Sequence, residues 1–181
     1  VTTDLIVAAD VAQLRGMCTT LGALDVAPFE DGDLGAAWRE RRTDFEAIVA
    51  RATEALTGPI ERILPLGLHD GYHRRYVCPE SGASPLCYSV GVREPLPATS
   101  TPVVMRYHRD TGAFAGAVER LEASPFRSRL HRDQGDGHLW IPLEVPCGVG
   151  GARVVLDICD QVHRIDAVAR GGSLADRAGH R

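Results

Sequence analysis

Lysine is missing from this chain: all 20 basic residues among its 181 are arginines. The absence excludes a Schiff base on a lysine amine and a phosphate loop built on lysine. Every fixed positive charge is a planar, permanently protonated guanidinium. GC-rich coding accounts for the bias, together with the many Ala, Gly and Val residues. Long apolar runs are missing too. No segment reaches the ~20 residues that a membrane-spanning helix needs. The chain opens Val-Thr-Thr-Asp, without the basic region that starts a signal peptide. Both features point to a cytoplasmic protein.

Cysteine is sparse and odd in number: Cys18, Cys78, Cys87, Cys147 and Cys159, with no tight spacing. That pattern fits reduced thiols better than a disulfide framework. A net charge of −4 argues against a general nucleic-acid binder. A serine-centred elbow, a phosphate-binding glycine loop and a dinucleotide fingerprint are all missing. His69, His73, Cys78 and Cys87 are of zinc-ligand type, but their spacing fits no compact zinc pattern. No metal and no cofactor is therefore expected.

What remains is an ordinary globular composition, 44% hydrophobic and 24% charged. The most informative part is a run of three strands expected over residues 72–77, 86–93 and 103–109. Residues two apart on a strand share a face. One face collects Tyr72, Tyr76, Tyr88, Val90, Val92, Val103, Met105 and Tyr107 and reads as core. The other collects His73, Arg75, Cys87, Ser89, Gly91, Arg93, Val104, Arg106 and His108. That second face reads as a cationic surface able to hold an anion.

Around these strands, apolar periodicity predicts a helix over residues 10–22 with Asp10 as N-cap. It predicts a second over residues 36–56, with Trp38, Phe45, Ile48, Val49, Ala52 and Leu56 on one face. Residues 60–66 read as a turn or short helix. Asp110 or Thr111 caps a further helix with Phe114, Ala117, Val118 and Leu121 on one face. Residues 127–132 suit an edge strand, and residues 138–145 a strand with Leu139, Ile141, Leu143 and Val145 facing one way. Its internal Pro142 implies an edge position or a bulge. A last helix carries Val154, Val155, Ile158, Val162 and Ile165.

The expected fold is α+β: an antiparallel sheet of about five strands in α-βββ-α-ββ-α order, helices on one face, with an extra N-terminal helix. Residues 1–35 form the N-terminal helix and loop, 36–169 a single domain, and 170–181 a disordered tail. This element order, over residues 36–169, resembles the type III secretion chaperone-like fold, which includes YbjN-like proteins. The resemblance implies a dimeric peptide-binding module without catalysis. The helix, three-strand, helix, strand order also resembles the core of PD-(D/E)XK nucleases. That motif needs a Glu-x-Lys strand, and Met105-Arg106-Tyr107 stands in its place, which argues against an active nuclease.

Two constellations carry the chemistry. Arg75, Arg93 and Arg106 on adjacent strands offer guanidinium forks for a carboxylate, phosphate or sulfate. Trp140 supplies an aromatic face beside them. His108-Arg109-Asp110 closes the third strand, and the same triplet recurs at His131-Arg132-Asp133. In the first copy, Asp110 can orient an imidazole as general acid or base. The expected site is therefore His108, His73 and Asp110 for proton transfer, with Arg75, Arg93, Arg106, Trp140 and Glu144 for substrate. Two functions of different classes fit. One is a binder of an anionic small molecule, and if catalytic a metal-independent transferase or lyase of specialised metabolism. The other is a chaperone-like or accessory subunit binding a protein or acidic peptide. Either suits a homodimer or hetero-oligomer, with no nucleic-acid or membrane partner.

Overall fold

Apolar residues at helical spacing fix the layer that covers one face of the sheet. The computed structural model describes residues 26–56, 60–63, 67–69, 72–79, 86–96, 99, 101–109, 113–132 and 137–172. For residues 36, 60–63, 67–69, 72–76 and 78–79 it describes the backbone alone. The expected helix over residues 10–22 and the tail beyond residue 172 lie outside the described residues.

A one-turn helix α1 (Asp31–Leu34) and a 3-10 turn (Ala36–Arg39) lead into α2 (Arg42–Ala55). Arg41 organises this entry. Its guanidinium donates to Asp44 at 2.6 Å and to Asp33 at 2.7 Å, and lies 4.7 Å above the Phe29 ring. Phe29 in turn stacks on Phe45 with ring centroids 4.3 Å apart. Helix α2 buries Phe45, Ile48, Val49 and Ala52 on its inner face. The hydroxyl of buried Thr53 is satisfied by donating to the Val49 carbonyl one turn back.

The sheet is antiparallel throughout. Its strands are β1 (Ile60–Ile63), β2 (Gly67–His69), β3 (Tyr72–Pro79), β4 (Tyr88–Val92), β5 (Val103–Tyr107), β6 (His131–Arg132) and β7 (Leu139–Pro142). They lie in the order β1-β3-β4-β5-β7-β6, with β2 also pairing β3. Four strands, β3, β4, β5 and β7, make the middle, and short strands flank them. Helices α3 (Phe114–Glu122) and α4 (Gly151–Ala169) complete the α+β layout. Helix α4 buries Val154, Val155, Ile158, Val162 and Ile165 as expected. Among the described residues no helix is long and apolar enough to cross a membrane.

Several details differ from expectation. Residues 60–63 form strand β1 rather than a turn or helix. A short apolar-polar segment is ambiguous until a neighbour offers its hydrogen bonds, which β3 does here. Residues 127–129 make a 3-10 turn, leaving a two-residue β6 in place of the longer edge strand. Strand β7 is not itself an edge, because β5 and β6 flank it. Pro142 is accommodated nonetheless. Leu143 N–H bonds Val103 O at 2.9 Å, so alternation of the ladder turns the Pro142 nitrogen toward the β6 side. There β6 has already ended, at His131 opposite Trp140. The Pro142 carbonyl instead accepts from the Arg129 guanidinium. Helix α3 starts at Phe114 with Ala113 as N-cap, while Asp110 and Thr111 lie outside the described residues.

A polar network pins the end of α4 to the sheet. Tyr107 Oη donates to Asp166 Oδ1 at 3.1 Å, and Arg170 Nε donates to Asp166 Oδ2 at 2.6 Å. Arg170 Nη2 also donates to the Leu86 carbonyl at 2.8 Å. Tyr88 meets Tyr107 edge-on at 5.9 Å. The helix closes with a Schellman arrangement: Gly171 N–H to Val168 O and Gly172 N–H to Ala167 O. Gly171 takes φ 89°, a conformation that side chains with a Cβ rarely adopt.

Candidate functional site

The register of the sheet sorts the face away from the helices into rows. Ser89 pairs with Arg106, Arg106 with Trp140, and Trp140 with His131, so one residue per strand lines up across four strands. Directly opposite residues share a face. The β4 and β5 residues divide between the faces as the sequence predicts. Their surroundings do not match the expected open surface. Every residue of β4, β5 and β7 is buried, so both faces of these three strands are covered. The Arg/His face is an interior layer, with Leu96 packed on Val104 and Trp140.

The middle of this layer is an indole shared by two guanidiniums. Arg106 Cζ lies 4.7 Å and Arg93 Cζ 4.4 Å from the Trp140 ring centroid. Arg106 and Trp140 are each only 4% exposed. Arg93, just past the end of β4, is half-buried and gives the platform its solvent side. Its backbone N–H donates to Pro102 O at 2.9 Å, which fixes where its side chain departs. Among the described residues no carboxylate forms an ion pair with Arg93, and neighbouring Glu94 pairs with Arg39 instead. Two like charges about one ring repel. Each is offset in part by its attraction to the ring, about 0.5–2 kcal/mol depending on desolvation.

The next row holds imidazoles. Ser89 Oγ and His108 Nε2 share a hydrogen bond of 3.1 Å between two buried groups. The His108 ring meets His138 edge-on at 5.2 Å. Arg109 N–H donates to His138 Nδ1 at 3.1 Å. A nitrogen that accepts carries no proton, so this bond fixes His138 as the Nε2–H tautomer. Gly137, at φ 69°, permits the close turn: a Cβ there would meet the Arg109 side chain at 3.2 Å. Two imidazoles thus sit one row away from the two guanidiniums.

Arg93, Arg106, Trp140 and His108 are brought together; Glu144 is not, and the register sets His73 and Arg75 at positions of the other face. Register pairs Arg75 with Val90 and His73 with Val92, positions of the helix-covered face. The expected faces of β3 are therefore exchanged, and Tyr76 takes the place opposite Ser89. A one-residue difference in register suffices, because the side-chain period is two. Glu144 does not join the arginines either. Its side chain is 80% exposed and pairs with Arg129 at 3.4 Å, while Gln161 holds its backbone N–H and carbonyl at 2.8 Å each. Asp110 lies outside the described residues. Ser89, expected on this face, and His131 of the repeated triplet belong to the same layer, and His138 joins them without having been an expected site residue. For His138 the signal was its spacing of two from Trp140, which puts both on one face.

Cys87 corrects the thiol expectation: it is disulfide-bonded, while Cys147 and Cys159 are free. A disulfide removes the thiol argument for a reducing compartment. Among the described residues no group of three or more His, Cys, Asp or Glu is placed to hold a metal ion. The chain matches no protein family, no curated protein and no solved structure.

Proposed function

We propose that this protein binds a small anion, a carboxylate, phosphate or sulfate, at the platform formed by Arg93, Trp140 and Arg106. The observation that carries this reading is the pair of guanidiniums on one buried indole, Arg93 lacking a carboxylate partner among the described residues. A bound anion offsets the repulsion between the two cations and accepts their hydrogen bonds in a fork geometry. The burial of Ser89, Val104 and Trp140 favours a small ligand over an extended peptide, which needs an open face. In this reading, where the ligand is a substrate, His108 and Ser89 move the proton and the guanidiniums stabilise charge on a leaving group. Group transfer, elimination or displacement without a metal suits those residue types.

Thermal shift in low salt against phosphate, sulfate and simple carboxylates tests the proposal. A ligand at about 100 times its Kd adds roughly 2.7 kcal/mol, which raises Tm by about 5–10 °C for a domain of this size. The rise is expected for one class of anion and is expected to vanish in Arg93→Gln. No rise with any of these anions, or an equal rise in Arg93→Gln, would overturn the reading.

A further inference from the structure

Cys87 is disulfide-bonded, and its partner follows from elimination and register. Cys147 and Cys159 are free, which leaves Cys18 and Cys78. The ladder between β3 and β4 runs from His73 opposite Val92 to Val77 opposite Tyr88. One further antiparallel step sets position 78 opposite position 87. Directly opposite Cα atoms lie about 4.5–5.5 Å apart. A disulfide spans Cα separations of about 4.4–6.8 Å.

We infer that Cys78 and Cys87 form a cross-strand disulfide, an oxidative modification site that closes the loop of residues 79–86 where β3 ends and the chain leads into β4. It lies at the imidazole end of the layer. The Cys87 carbonyl accepts the His108 N–H at 3.3 Å, and Ser89 follows two residues on. The bond forms by exchange with a small disulfide oxidant such as oxidised glutathione. One cysteine thiolate attacks the oxidant's sulfur, giving a mixed disulfide and one released thiolate. The other cysteine thiolate then attacks the protein sulfur of that mixed disulfide, forming Cys78–Cys87 and releasing the second thiolate. The oxidant gains two electrons, and the two protons from the cysteine thiols end on the two released thiols.

The arginine-only composition makes the test decisive. Trypsin cuts this chain only after arginine, and Arg75 and Arg93 bracket both cysteines in a single peptide, residues 76–93. Cys18 falls in another, residues 16–39, between Arg15 and Arg39. The protein is incubated with oxidised glutathione, its free thiols are alkylated under denaturing conditions, and the digest is weighed by mass spectrometry. Expected is an unalkylated 76–93 peptide lighter by two hydrogens than its reduced form. The same peptide is expected from Cys18→Ser, whereas Cys78→Ser should leave Cys87 open to alkylation. Reduction of the intact protein should lower Tm by roughly 4–10 °C, since closing a short loop constrains the unfolded chain. A 76–93 peptide cross-linked to residues 16–39, or both cysteines alkylated after oxidation, would overturn the inference.

Discussion

Unfolding free energy is expected to fall steeply above pH 10. Tyr107 is fully buried; burial first, then the charge of Asp166, raises its pKa well above the ordinary 10.0. Tyr88 is raised in the same way, by burial and then by Asp166. Burial, with Asp160 adding to it, pushes the Cys159 thiol from 9.0 up to about 12. For each group the native state keeps a proton that the unfolded chain gives up. Stability is therefore whole below the unfolded pKa and declines as pH rises toward the native one. Each group contributes a slope of about 1.4 kcal/mol per pH unit across that window. By pH 11 the two tyrosines together cost about 3 kcal/mol, and the thiol, titrating from pH 9 onward, adds about another 3 kcal/mol. Against a typical total of about 5–15 kcal/mol, that loss brings the protein close to its midpoint.

Urea titrations followed by circular dichroism between pH 8 and pH 11.5 measure the effect. Tyr107→Phe should remove about half of the tyrosine share, because its ring stays packed while the titrating hydroxyl is gone. A flat stability curve to pH 11 would mean that Tyr88 and Tyr107 are solvated. The docking of α4 through Asp166 and Arg170 would then be wrong. The same substitution isolates the neutral-pH value of the Tyr107–Asp166 hydrogen bond, about 1.5–3 kcal/mol for a bond to a charged acceptor.

Helical spacing made the covering layer legible. The residues expected on the inner faces of α2 and α4 are the buried ones, because a helix repeats its face over many residues. Strands β4 and β5 were equally readable: five residues each, with Val90 and Met105 on one side and Ser89 and Arg106 on the other. Strand β3 was not. In Tyr-His-Arg-Arg-Tyr-Val the aromatic and charged residues do not mark a face, so only pairing with β4 decides it. Placing Arg75 beside Arg106 was an error of that kind. Burial of the cationic face was illegible for another reason. Alternation in sequence reports which residues share a side, not whether that side meets solvent. The pairing of Cys87 was hidden because an odd cysteine count constrains no single bridge.

Trp140→Ala should cost about 3–5 kcal/mol, the usual penalty for emptying a large buried aromatic site. Three contributions add there. The indole is 4% exposed and packs on Val104 and Leu96, so its removal forfeits apolar burial and leaves a cavity. Two guanidiniums lose the ring that offsets their mutual repulsion, at 4.4 and 4.7 Å. Arg106, itself buried, then faces that cavity. Trp140→Phe keeps an aromatic face and most of the volume, and should recover more than half of the loss. A double-mutant cycle with Arg93→Ala separates the cation–ring contribution from packing. The single change Arg93→Ala should cost under about 1 kcal/mol, since that side chain is half-buried. The coupling between the two sites should be about 0.5–2 kcal/mol. Zero coupling would show that Arg93 does not rest on the ring. The proposed anion platform would then lose one of its two cations, even if Trp140→Ala unfolds the protein for reasons of volume alone.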